Sequence, residues 1–165
     1  MSDFHLLLEE QIPQLMRYAS ALTRDADQAV ELVEDTVRDA LAHQREQRGK
    51  LNVWLLTLLH DLRGNPFRAM ALADPVVTDP ATRLTLSDLD RALGGLAEEQ
   101  RAVILLIGLE SLSYTDAAVV LRTTPATLCS RLSRARAELR RLMSVGEAAE
   151  RGRPASAQRR KARAA

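Results

Sequence analysis

At 165 residues, with 46% apolar side chains and a net charge of +1, the chain is long enough for one domain or two small ones. No apolar run approaches the roughly twenty residues of a membrane span, and Met1-Ser-Asp-Phe-His5 lacks the basic start and cleavage pattern of a signal peptide. Cys129 is the lone cysteine, which excludes an internal disulfide and makes a reducing, cytoplasmic setting without membrane insertion the expectation.

Leucine and alanine dominate the periodic segments and aromatics are only 3%, a balance that favours helix over strand. In the first segment Ile12, Leu15, Met16, Ala19 and Leu22 form one apolar stripe, with Pro13 at a helix start or kink. Thr23-Arg-Asp25 reads as a turn. A second helix is expected from about Asp27 to His43, burying Val30, Val33, Val37 and Leu41. Residues 44–50 are a polar loop. A third helix begins near Asn52, carries Val53, Trp54, Leu58 and Leu62, and ends at Gly64-Asn-Pro66. Pro66, Pro75 and Pro80, with Asp and Thr between them, mark residues 64–87 as a flexible linker. Helices are then expected from about Leu86 to Leu93, stopped by Gly94-Gly95, and from about Glu98 to Leu109, carrying Val103, Ile104 and Ile107. Residues 145–165 form a basic tail read as disordered. Arg151, Arg153, Arg159, Arg160, Lys161 and Arg163 carry its charge without an acid beyond Glu150, which leaves residues 1–150 net acidic. Such a tail fits a sequence-blind arm on nucleic acid and a plain solubilising segment equally well.

Residues 113–143 carry the most information. Ser113 followed by Asp116 has the spacing of a capping box, and Thr124 before Pro125 is a second helix start. A short helix, a break at Arg122-Thr-Thr124 and a longer basic helix make a helix-turn-helix, whose second helix enters the major groove of DNA. That second helix has two faces. Leu128, Leu132, Ala135 and Leu139 recur at core spacing, while Thr127, Arg131 and Arg134 share another face with Ser130 beside them. Arginine reads guanine edges or grips phosphate, and Ser and Thr make shorter contacts to either. Arg136, Arg140 and Arg141 extend the charge toward phosphate. A solvated arginine face is the alternative for an isolated basic helix, but the capped helix and break directly upstream favour DNA. His5, His43 and His60 lack ligand spacing, and no glycine-rich phosphate loop follows a strand. No enzyme activity, metal or other cofactor is therefore expected.

The string from Leu89 to Met143 resembles the fourth conserved region of an extracytoplasmic-function (group four) bacterial RNA polymerase sigma factor. Leu96-Ala-Glu-Glu-Gln-Arg101, Ser111-Leu-Ser-Tyr-Thr-Asp-Ala-Ala118 and Thr127-Leu-Cys-Ser-Arg-Leu-Ser-Arg-Ala-Arg136 carry the likeness. The first half is similar, more loosely, to the second conserved region through Arg17-Tyr-Ala-Ser-Ala-Leu-Thr23, Ala29-Val-Glu-Leu-Val-Glu-Asp-Thr36 and Trp54-Leu-Leu-Thr-Leu-Leu59. The resemblance implies an all-α protein of two small helical domains joined by a flexible linker, spanning 1–63 and 88–144. It implies an alternative sigma factor with core RNA polymerase, promoter DNA and an anti-sigma factor as partners. Polymerase contact then falls to Glu31, Glu34 and Asp35, and upstream-element contact to Thr124, Thr127, Ser130, Arg131, Arg134, Arg136 and Arg140. The halves of the free protein are expected to pack together and hide the recognition helix.

Several positions depart from the family pattern. His60-Asp61 stands where Arg-Asn is usual, and Gly64-Asn-Pro66 interrupts the helix that reaches the downstream element, leaving Arg63 and Arg68 as its basic residues. The 44–50 loop lacks an aromatic platform for an unstacked base. Arg122 replaces the turn glycine best suited to positive φ, and Cys129 replaces a common lysine. These departures keep a second reading open: a sigma-like decoy that occupies an anti-sigma factor without opening promoters.

Overall fold

The structure, a computed structural model, describes residues 3–64 and 86–151, with side chains at 4–64 and 88–143. Among these residues the protein is all helical, without a strand, as the composition and periodicity indicate. The first half contains α1 (Asp3–Thr23), α2 (Ala26–Ala42), a short 3-10 turn (Gln44–Glu46) and α3 (Leu51–Arg63). The second contains α4 (Leu86–Gly94), α5 (Glu98–Gly108), α6 (Tyr114–Val120) and α7 (Pro125–Arg151). No helix among the described residues is long and apolar enough to cross a membrane.

Local chemistry explains the boundaries. Pro13 lies inside α1 on its exposed side, where the carbonyl it leaves without an N–H partner can bond water. Arg24 turns the chain with φ +58°, and the Asp25 carboxylate then accepts from the Gln28 N–H at 2.9 Å to start α2. α7 runs to Arg151, so residues 145–151 continue the helix rather than beginning a disordered tail. The rest of that tail and residues 65–85 of the expected linker, with Arg68, lie outside the described residues.

The core differs from the periodicity reading in two helices. In α2 the buried set is Ala29, Leu32, Val33, Thr36 and Ala40, whereas Val30 is 44% exposed. Small alanines allow close helix approach, and the Thr36 hydroxyl is satisfied by donating to the Leu32 carbonyl at 2.7 Å. In α3, Val53, Leu55, Leu56 and Leu59 are buried while Trp54, Leu58 and Leu62 are partly covered, because α3 is sandwiched. α1 and α2 take one side, and α6 of the second half takes the other. The buried residues of both halves consequently form one continuous apolar cluster, running from Leu8 and Leu15 through Leu59 to Leu106 and Leu128. Each leucine fully buried there contributes roughly 1.5–3 kcal/mol relative to exposure.

Candidate nucleic-acid interface

The expected capping chemistry is in place. The Ser113 hydroxyl accepts from the Asp116 N–H at 3.0 Å to start α6, and the Thr124 hydroxyl accepts from the Thr127 N–H at 3.2 Å to start α7. Between them Arg122 turns the chain with φ +46°, the conformation that the missing glycine would have taken without strain. A side chain in that region costs of order 1 kcal/mol.

α7 buries Leu128, Leu132 and Ala135 against the core, while Leu139 is partly covered. Thr124, Thr127, Ser130, Arg134, Arg136 and Arg140 are exposed, and the Thr124 and Thr127 hydroxyls share a hydrogen bond of 2.9 Å that fixes Thr127. Arg131 is half-buried in a cleft of about 190 Å³ that it lines with His60, Glu98, Glu99, Ala102 and Leu121. Arg141 is engaged by Glu138, with contacts of 2.9 and 2.5 Å. Among the described side chains of this face, Arg131 is the one drawn into the cleft beside the first half, and the other basic and hydroxyl side chains named here are solvent-exposed, Arg141 while engaged by Glu138. Glu31 and Glu34 are exposed on α2, and Asp35, which accepts from Arg38 at 2.6 Å, is half-buried beside them.

Sequence reasoning did not foresee the polar seam between the halves. Arg17 meets the buried Glu110 carboxylate at 3.0 Å, where Gln14 also donates at 2.7 Å. Arg24 pairs with Asp90 at 2.7 Å, Lys50 with Asp116 at 2.6 Å and Arg63 with Glu98 at 2.7 Å. Arg122 grips Asp61 with both Nε and Nη2, at 2.7 and 2.5 Å, and the carboxylate holds the guanidinium above its ordinary pKa. Two of the departures from the family pattern thus meet each other. Deeper in, the Arg101 guanidinium donates to the Leu22 carbonyl at 2.6 Å, Leu93 at 2.9 Å and Leu96 at 3.0 Å. The one visible signal for it was its place in the Leu96–Arg101 motif. The exposed pairs, Arg24–Asp90, Lys50–Asp116 and Asp61–Arg122, contribute about 0–1 kcal/mol each and set the register of the two faces more than they hold them together, whereas Glu110 and Arg101 are buried.

His60 is a packing residue. Its Nε2 and the buried Tyr18 hydroxyl share a hydrogen bond of 2.6 Å, with the rings 5.7 Å apart. Burial, opposed by Glu98 and Asp61, depresses its pKa from 6.5 to about 4, and burial raises that of Tyr18. The unfolded chain therefore binds a proton at this position between pH 6.5 and about 4 that the folded protein does not. The resulting stability is complete above pH 6.5 and is lost as pH falls toward 4, an effect of up to about 3 kcal/mol. Denaturation midpoints of wild type and His60→Gln across this range should diverge accordingly; a pH-independent difference would rule out a neutral buried imidazole. Among the described residues no group of three or more His, Cys, Asp or Glu is placed to hold a metal ion.

Comparison with known proteins agrees with this architecture. Residues 86–139 match the family model "Sigma-70, region 4", and residues 8–60 match "Sigma2 domain of PhyR". The ECF RNA polymerase sigma factor EcfG of Rhodopseudomonas palustris is 30% identical over 154 residues, covering 86% of this chain and 85% of that protein. SigM of Mycobacterium tuberculosis, another ECF sigma factor, is 29% identical over 81% of this chain and 71% of its own length. Among solved structures, the sigma factor RpoE of Bartonella quintana, in complex with the anti-sigma factor NepR, superposes with a TM-score of 0.75 at 33% identity. That match covers 88% of this chain and 99% of RpoE. With a capped helix-turn-helix in the second half and relatives similar along both halves, the chain belongs to the ECF RNA polymerase sigma factors.

Proposed function

We propose that this alternative sigma factor binds core RNA polymerase through the acidic face of α2 and directs promoter-specific initiation through α7. In this reading residues 1–63 form the polymerase-binding unit, and residues 88–144 form the unit that recognises the upstream promoter element. Glu31, Glu34 and Asp35 supply the acidic patch. Thr124, Thr127, Ser130, Arg131 and Arg134 face base edges and nearby phosphates, and Arg136 and Arg140 extend the grip along the backbone. The single observation that carries it is the open hydroxyl and arginine face of a helix capped for major-groove entry. The working compartment is then the cytoplasm, where polymerase and its template are. The RpoE relative was solved with an anti-sigma factor, which supports an anti-sigma partner for this chain as well.

Binding to matched and scrambled upstream duplexes over a salt series tests the assignment. If Arg131 or Arg134 reads a base edge, its replacement by Ala costs about 1–3 kcal/mol on the matched duplex only. If it grips phosphate, both duplexes weaken alike and the salt slope flattens by about one unit. Unchanged binding in the double variant would remove α7 from the DNA.

A specific observation also favours the decoy reading. The first half matches the sigma2 domain of PhyR, and the anti-anti-sigma factor PhyR of Bartonella quintana was solved in complex with the anti-sigma factor NepR. Furthermore, Arg63, one of two basic residues available for the downstream element, is engaged by Glu98. Run-off transcription with core polymerase separates the two: transcripts support the sigma factor, and their absence alongside tight anti-sigma binding supports the decoy.

A further inference from the structure

We infer that Arg122 is a phosphate-binding residue for promoter DNA, and that Asp61 occupies its anion site in the closed protein. The inference rests on the DNA-binding reading of α7. Arg122 lies two residues before the Thr124 cap, at the end of α7 that would enter the groove. Its Nε and Nη2 both point at the Asp61 carboxylate, the same fork with which arginine takes two phosphate oxygens. Both side chains are accessible, at 68% and 37% exposure, so a duplex can reach this pair without unfolding anything. The polarity of the contact is also distinctive. In the pairs Arg17–Glu110, Arg24–Asp90, Lys50–Asp116 and Arg63–Glu98 the first half supplies the cation and the second half the anion. At Asp61–Arg122 that order is reversed, and a carboxylate from the first half neutralises a cation on the helix-turn-helix itself.

The neighbourhood supports competition between the two anions. His60, adjacent to Asp61, lines the cleft that half-buries Arg131, so the last turn of α3 stands beside the start of the recognition helix. A phosphate arriving at that start meets an arginine already carrying a carboxylate. Release of Asp61 exposes one more cation to the backbone, and docking of the halves withdraws it. Arg122 thereby links closure of the two halves to DNA affinity without itself reading a base.

The full-length chain is tested as wild type, Asp61→Asn, Arg122→Gln and the double variant, using fluorescence anisotropy on matched and scrambled duplexes over a salt series. Melting curves and helical content verify that each is folded. Asp61→Asn should tighten both duplexes several-fold and steepen the salt dependence by about one unit, the signature of one added phosphate contact. In the Arg122→Gln background the same Asp61→Asn change should gain nothing. Unaltered binding in Asp61→Asn overturns the role of Arg122. So does a gain that survives in the double variant, since Asp61 would then act by repelling DNA or by holding the halves shut. If Arg131→Ala and Arg134→Ala also leave binding unchanged, the DNA-binding assignment of α7 fails with it. If those variants weaken binding and Asp61→Asn does nothing, only the role of Arg122 falls.

Discussion

Replacing Arg101 with Ala should destabilise the protein by about 3 kcal/mol or more, enough to lower its melting temperature by many degrees. Arg101 is only 8% exposed, and its guanidinium ties the Leu22 carbonyl at the end of α1 to the Leu93 and Leu96 carbonyls at the α4–α5 junction. Burial lowers its pKa, and the Leu22, Leu93 and Leu96 carbonyls satisfy the guanidinium in that buried place. Truncation removes the guanidinium donor from the buried Leu22 and Leu96 carbonyls, which costs more than any one bond contributes, while the Leu93 carbonyl still accepts from the Leu96 N–H. Lysine can satisfy fewer of them and should recover only part of the loss. A melting temperature within a degree or two of wild type for Arg101→Ala would show that water replaces the guanidinium and that the junction is not held by it.

The second large effect is expected on polymerase rather than on the fold. Glu31→Lys with Asp35→Lys should abolish copurification with core polymerase while leaving helical content intact. Glu31 is exposed and Asp35 half-buried, one turn apart on the face of α2 away from Ala29 and Ala40, so packing is little disturbed. An acidic patch that docks on a basic surface becomes repulsive on reversal, and both association and specificity suffer. The i, i+3 contact of Asp35 with Arg38 is exposed and worth only tenths of a kcal/mol, so its loss does not confound the result. Normal copurification of the double variant would move the polymerase contact off α2.

The helices and the two-faced character of α7 were legible in the residues because they depend on local chemistry. Ser113 with Asp116, Thr124 with Pro125, and an unusual arginine in a turn each announce themselves within a few positions. The buried face of α2 was less legible. Hydrophobicity pointed to Val30, but the core selected Ala29 and a self-satisfied Thr36, because close helix approach rewards small volume over apolar area. α3 misled for another reason: a helix covered on two sides by different partners has no single stripe to find. Least legible were the long-range pairings. Asp61 and Arg122 each stood out as a departure from the family pattern, but periodicity has no means of bringing together residues 61 positions apart.

The uninterrupted apolar cluster shared by the two halves has a thermodynamic consequence for everything that binds them. A ligand that engages only the separated halves must first draw on the small fraction of molecules that are open. Its apparent dissociation constant is the intrinsic one divided by that fraction, so a hundred-to-one preference for closure weakens it by about a hundredfold. Separation also exposes leucines of this shared cluster to water, and that exposure should register as a positive heat-capacity increment on top of the binding heat. A partner that re-covers those leucines cancels both terms, whereas a highly charged one that touches only polar surface cancels neither. The leucines that hold the molecule shut thereby grade its partners by how well each replaces the surface that opening lays bare.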